Sequence, residues 1–159
     1  KSSCGAYAKA IEDINFAIKI NPNNAEAYMV RAEIEAKREE YPSALKDMDK
    51  AIKMDSKNPE FYNRRAKLKD KMNESSNSHN PLTDYGKAIE LNPLFIEAYM
   101  NRAKFKTFMA VYFDALKDYD KVISIDPYYK EAYELRGALK QKMGRISDSK
   151  ADLEKAKEL

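Results

Sequence analysis

A six-residue phrase returns four times in this chain, and that recurrence restricts the fold more than any other property of the sequence. The copies are Ala17-Ile18-Lys19-Ile20-Asn21-Pro22, Ala51-Ile52-Lys53-Met54-Asp55-Ser56, Ala88-Ile89-Glu90-Leu91-Asn92-Pro93 and Val122-Ile123-Ser124-Ile125-Asp126-Pro127, with starts 34, 37 and 34 residues apart. A second phrase follows each at a constant offset: Tyr28-x-x-Arg31-Ala32, Tyr62-x-x-Arg65-Ala66, Tyr99-x-x-Arg102-Ala103 and Tyr133-x-x-Arg136-Gly137. A period of this length marks a repeat array, in which each unit is one supersecondary element that buries its apolar face only against its neighbours. The two phrases read as the two helices of one unit. Hydrophobic residues at 43%, charged residues at 35% and only four glycines suit long helices with solvated outer faces.

Asn21-Pro22, Asn92-Pro93 and Asp126-Pro127 close one helix and lead into the next, because proline disfavours helical geometry at its predecessor and has no N–H to donate. Ser56 takes the proline position in one unit, and Pro59 is placed to open the helix that follows. Counted from three residues before each tyrosine, the units run 25–58, 59–95, 96–129 and 130–159, the last lacking its final turn. A partial unit at 1–24 supplies a second helix only.

This pattern resembles the tetratricopeptide repeat, over essentially the whole chain. The family places an aromatic residue at position 4, a small one at 8, Ala at 20, a large apolar residue at 24, Ala at 27 and Pro at 32. Here position 20 is Ala10, Ala44, Pro81, Ala115 and Ser149; position 24 is Ile14, Met48, Tyr85, Tyr119 and Leu153; position 27 is Ala17, Ala51, Ala88, Val122 and Ala156. Small side chains at 8, 20 and 27 let two helices approach, and the large ones fill the space beside them. The resemblance implies an all-α fold: a right-handed superhelical stack of antiparallel helix-turn-helix hairpins, with first helices lining a concave face.

The sequence departs from the family at position 7, which is Arg31, Arg65, Arg102 and Arg136, and at position 23, which is Asp13, Asp47, Asp84, Asp118 and Asp152. Each arginine follows the aspartate of the preceding unit by 18 residues, even across the 37-residue interval. Matched charges that recur together point to structural ion pairs more than to a ligand-gripping ladder. The constant spacing favours a bridge between neighbouring units; the pairing inside a unit, Arg31 with Asp47, stays open. Position 11, commonly aromatic, is Glu35, Lys69, Lys106 and Lys140, with Ile34, Leu68, Phe105 and Leu139 one residue earlier as compensating apolar contacts. The segment 73–81 is an expanded turn, a tolerated insertion or an extra contact element, in which Asn80 can cap the next helix ahead of Pro81. His79 within it reads as a solvated loop residue.

The concave positions implied by the resemblance are Met29, Val30 and Glu33 in one unit, Asn63, Arg64, Lys67 and Lys71 in the next, Met100, Asn101, Lys104 and Phe108 in the third, and Glu134, Leu135 and Lys142 in the last. Basic and amide groups in the middle with apolar ends fit a protein or peptide segment carrying acidic and apolar groups, held by Arg64, Lys67, Asn101, Lys104, Met100 and Phe108. Some family members clamp the C-terminal carboxylate of chaperone peptides with a Lys and Asn, then an Asn, then a Lys and Arg. The corresponding residues here are Asn63 and Lys67, Asn101, and Glu131 and Leu135, so only Asn101 matches. Binding of such tails is not expected.

Other classes are disfavoured. No phosphate-cradling glycine loop, metal-ligand cluster or nucleophile elbow is present, and Cys4 and His79 lie two units apart, so neither an enzyme nor a cofactor or metal site is expected. The 29 basic and 26 acidic residues interleave, without the positive stripe of a nucleic-acid binder. No apolar run approaches the roughly 20 residues that cross a bilayer, and no signal-peptide pattern opens the chain, so it is expected to be soluble with no membrane partner. The alternatives to groove binding are a structural module that self-associates through the ends of the array, since repeat arrays need solvated caps, or the interaction part of a larger protein.

Overall fold

The computed structural model describes residues 2–76 and 80–159, with side chains described for 7–72 and 80–159. The described residues form nine α-helices: α1 (Ser2–Ile20), α2 (Ala25–Lys37), α3 (Tyr41–Met54), α4 (Pro59–Ser76), α5 (Leu82–Leu91), α6 (Ile96–Phe108), α7 (Tyr112–Ile125), α8 (Lys130–Lys142) and α9 (Ile146–Glu158). They group into two compact units, one closing at Leu91 and one opening at Asn92. In the first, α2 pairs with α3 and α4 with α5, while α1 packs on α2 and α3 on α4; in the second, α6 pairs with α7, α8 with α9, and α7 packs on α8.

Two kinds of turn repeat, each with a chemical cause. Between hairpins, the Asn or Asp of the six-residue phrase turns back on its own backbone: Asn21, Asp55, Asn92 and Asp126 accept from the N–H of Asn23, Lys57, Leu94 and Tyr128 at 3.2, 3.1, 3.1 and 2.9 Å. Tyr62, Tyr99 and Tyr133 fasten the same turns by donating their hydroxyls to the carbonyls of Ser56, Pro93 and Pro127. Inside hairpins, one residue enters the left-handed region and ends the first helix: Glu39 (φ 62°), Ala110 (φ 59°) and Gly144 (φ 78°). The N–H of the residue after each reaches back to the carbonyls of Glu35, Lys106 and Lys140 at 2.9, 2.8 and 2.9 Å. Only Gly144 announces this turn in the sequence.

The core of each unit is the small-against-large pattern made solid. Small Ala32, Ala66, Ala103 and Gly137 on the first helices and large Met48, Tyr85 and Tyr119 on the second are all buried, and Leu153 is half-buried. Gly137 is the tightest: a Cβ built there would lie 3.0 Å from Leu153 Cγ. Leu68, Phe105 and Leu139 are buried as expected, and Ile34 is half-buried. The segment 73–81 is shorter as a turn than its sequence suggests. No breaker occurs before Pro81, so Asn73 to Ser76 continue α4. Asn80 then accepts from the Leu82 N–H at 2.9 Å and Pro81 is buried. His79 and the Cys4 side chain lie outside the described residues.

Candidate functional site

The arginines at position 7 bind inside their own hairpins, not across to the preceding position-23 aspartate as the constant spacing suggested. Arg65 donates from Nε and Nη2 to Asp84 at 2.9 and 2.6 Å, Arg102 does the same to Asp118, and Arg136 to Asp152. Arg31 grips Asp47 with the same fork. Asp13 therefore loses the role assigned to it: it is exposed, and Arg31 turns to Asp47 and Asn15. The physical reason is that positions 7 and 23 flank the tightly packed positions 8 and 24 of one hairpin, a relation the longer α4 leaves unchanged.

Contact with the preceding helix does exist, through a different acceptor. The third arginine nitrogen, Nη1, donates at 2.6 Å to Asn15 from Arg31, to Asp49 from Arg65 and to Asp120 from Arg136, two residues beyond the position-23 aspartate. Each guanidinium also lies 5.5–5.8 Å over the tyrosine three residues before it, Tyr28, Tyr62, Tyr99 or Tyr133. One side chain thus fixes its own hairpin, the preceding helix and the tyrosine ring.

Lysine at position 11 completes the cluster. Lys69, Lys106 and Lys140 each reach the buried aspartate at 2.7 Å, so a residue the family pattern makes aromatic is here a second cation. Burial penalises the Asp84 and Asp152 charges, but the hydrogen bonds from Arg and Lys outweigh it and hold both carboxyls below the ordinary aspartate range. The first full hairpin breaks the rule: Glu35 occupies the lysine position, one of its oxygens is buried without a donor from the chain, and Lys50 stays 4.0 Å from Asp47. Burial first, and the Asp47 charge second, push the Glu35 carboxyl above its usual range. A carboxyl raised in the folded state supports folding below its unfolded titration range and loses that support as pH rises through the folded value, so at neutral pH its charge is a cost. Glu35→Lys is expected to add about 1 kcal/mol at pH 7, the scale of one charge-assisted hydrogen bond. Glu35→Gln is expected to help at pH 7 but not at pH 4, as read from urea midpoints.

The first helices carry the residues named for partner binding. In the first unit Arg64 of α4 forms ion pairs with Glu33 of α2 and with Glu60 of its own helix, the latter at 2.6 Å. In the second, Lys104 of α6 bonds to Glu131 of α8 at 2.7 Å. These pairs show that successive first helices present side chains to a shared face within each unit, and they also show Arg64 and Lys104 already matched by carboxylates. Val30, Lys67, Phe108 and Glu134 are exposed on these helices, and Met29 and Asn101 are half-buried. Asn63 and Met100 are not accessible, at 0% and 2% exposure, which corrects their placement on an open surface. Among the described residues no group of His, Cys, Asp or Glu is disposed to hold a metal ion, and no helix is long and apolar enough to cross a membrane.

No protein-family model and no curated protein matches the chain. Among solved structures, the chain is similar to that of MamA, at 23% identity and a TM-score of 0.84, over 99% of this chain and 91% of that one. It is similar to YrrB, described as a TPR protein with an unusual peptide-binding site, at 20% identity and a TM-score of 0.74, over 98% and 78%. A third likeness is to the first TPR of Spaghetti (RPAP3), bound to the HSP90 peptide SRMEEVD, at 22% identity and a TM-score of 0.67, over 76% and 93%.

Proposed function

We propose that this chain, which has the tetratricopeptide-repeat fold, is a protein-interaction scaffold whose first helices hold a peptide or protein segment. The observation that supports this reading is the pair of ion bridges joining successive first helices, Arg64 to Glu33 and Lys104 to Glu131. Each aligns a face within its own unit that the packing of the hairpins leaves open, with Met29, Val30 and Lys67 in the first unit and, separately, Asn101, Lys104, Phe108 and Glu134 in the second. A wholly acidic ligand would have to displace carboxylates of the chain from Arg64 and Lys104. The face therefore suits a segment with apolar anchors and a few polar groups that join those pairs, and the chemistry is binding rather than catalysis.

Peptides selected from a display library on the parent protein test this. Their affinity is expected to fall about tenfold or more for Val30→Asp or for Asn101→Ala with Glu134→Lys, as for residues inside an interface. Equal affinity for parent and both variants would place the binding surface elsewhere.

The same face argues against carboxylate clamping. Asn63 is buried, and Glu131 stands where the clamp pattern wants a cation. The SRMEEVD peptide is expected to give no saturable change in fluorescence anisotropy up to about 1 mM protein. A salt-sensitive complex below that concentration would contradict the assignment.

A further inference from the structure

The α6–α7 turn is unlike its counterparts. Six consecutive uncharged residues, Phe108-Met109-Ala110-Val111-Tyr112-Phe113, all apolar but for the Tyr112 hydroxyl, span it, where the α2–α3 turn carries Lys37, Arg38, Glu39 and Glu40 and the α8–α9 turn carries Lys142 and Arg145. Phe108 is 68% exposed, Met109 42%, Val111 44% and Phe113 72%. Lys142 at the end of α8 lies 5.1 Å over the Tyr112 ring, so the α8–α9 turn sits beside this one and adds Ile146, 50% exposed, to the same edge. A run of exposed apolar residues costs solubility unless something covers it.

We propose that a second copy of this chain covers it, in a two-fold dimer formed edge to edge. The charges choose the occupant. A surface built for an anionic membrane or an acidic peptide would carry a cluster of cations, whereas the rim of this edge holds its charges mainly in close pairs, Asp114 with Lys117 at 2.9 Å and Arg145 with Asp148 at 2.6 Å, with Lys142 occupied by the Tyr112 ring. A two-fold contact requires a self-complementary patch, and pairs of this kind can exchange partners across the axis, Asp114 of one copy meeting Lys117 of the other. The size agrees. With aromatic side chains of roughly 150–250 Å² each, Phe108 and Phe113 with Met109, Val111 and Ile146 leave roughly 400–500 Å² of apolar centre. That is about half or more of the roughly 800 Å² per partner in a standard interface, and the rim supplies the remainder.

Light scattering and sedimentation equilibrium from about 1 µM to about 500 µM test this. The parent is expected to pass from monomer mass to twice that mass, while Phe108→Ser with Phe113→Ser stays monomeric with an unchanged circular dichroism spectrum, since both rings are exposed. Asp114→Lys and Lys117→Glu should each weaken the dimer alone and form a heterodimer when mixed, because the mixture restores opposite charges across the axis. A parent that remains monomeric would overturn the proposal, also where it sediments instead with vesicles rich in anionic lipid. A dimer that survives in the double serine variant would overturn it by moving the contact to another surface. Phe108 belongs to both surfaces, so Met109→Ser with Phe113→Ser repeats the dimer test with Phe108 kept, and the peptide-face variants Val30→Asp and Asn101→Ala with Glu134→Lys leave this edge intact.

Discussion

Arg65→Met is expected to lower the unfolding free energy by about 3 kcal/mol, the lower end of what breaking a buried ion pair costs. Arg65 is largely buried, donates twice to the buried Asp84 and once to Asp49, and stacks over Tyr62. Methionine fills much of the same space, so the loss reports the charge and its hydrogen bonds rather than a cavity. Asp84 keeps Lys69, which holds the penalty to that lower end. Arg65→Lys should fall between, because a point charge cannot reproduce a planar fork that meets two oxygens of one carboxylate and a third acceptor beyond. The pH dependence has a definite sign. With its folded value held low, Asp84 contributes its stability in full above the unfolded aspartate range and loses it as pH falls through the depressed value. The gap between parent and Arg65→Met in urea titrations should therefore be widest near neutrality and narrow below about pH 4. A variant that matches the parent at pH 7 would remove the arginine from the stability of the hairpin.

Most of the fold is legible because helices report themselves through register. The Asn-Pro phrases, the tyrosines and the small residues at three fixed positions mark nine helices, their pairing and the side of each that is packed. The arginine's partner is not legible in the same way. In a periodic chain Asp47, Asp84 and Asp118 each stand between two arginines, and a connection can absorb extra residues without changing which helices touch. The lysine at position 11 is visible as a departure from the pattern, but its role is not, because that role depends on a carboxylate on the facing helix. Burial at position 5 shows a further limit: Met29 is half-buried, Asn63 and Met100 are closed off and Glu134 is exposed, although all four share one register. Register gives direction. How deep a side chain lies depends on the size and placement of the groups around it.

Tyr119→Ala is expected to cost about 3–5 kcal/mol, the range for removing a buried aromatic ring and leaving its volume empty. Tyr119 is 1% exposed in the α6–α7 hairpin, where Ala103 and Ala115 are fully buried, and an alanine's single methyl group cannot swing in to fill the gap. The surroundings cannot collapse without bringing two helix backbones closer than their remaining contacts allow, which keeps the cost near the cavity limit. The hydroxyl is a separate and smaller contribution. Burial raises the Tyr119 phenol, a hydrogen bond with Thr107 opposes that rise, and the Thr107 hydroxyl also bonds to the Ala103 carbonyl at 2.8 Å. Tyr119→Phe removes only one member of that chain and should cost about 1 kcal/mol. Urea denaturation of the two variants separates ring from hydroxyl: a loss for phenylalanine close to that for alanine would mean that polar bonding, not the filling of space between small residues, holds the two helices of this hairpin together.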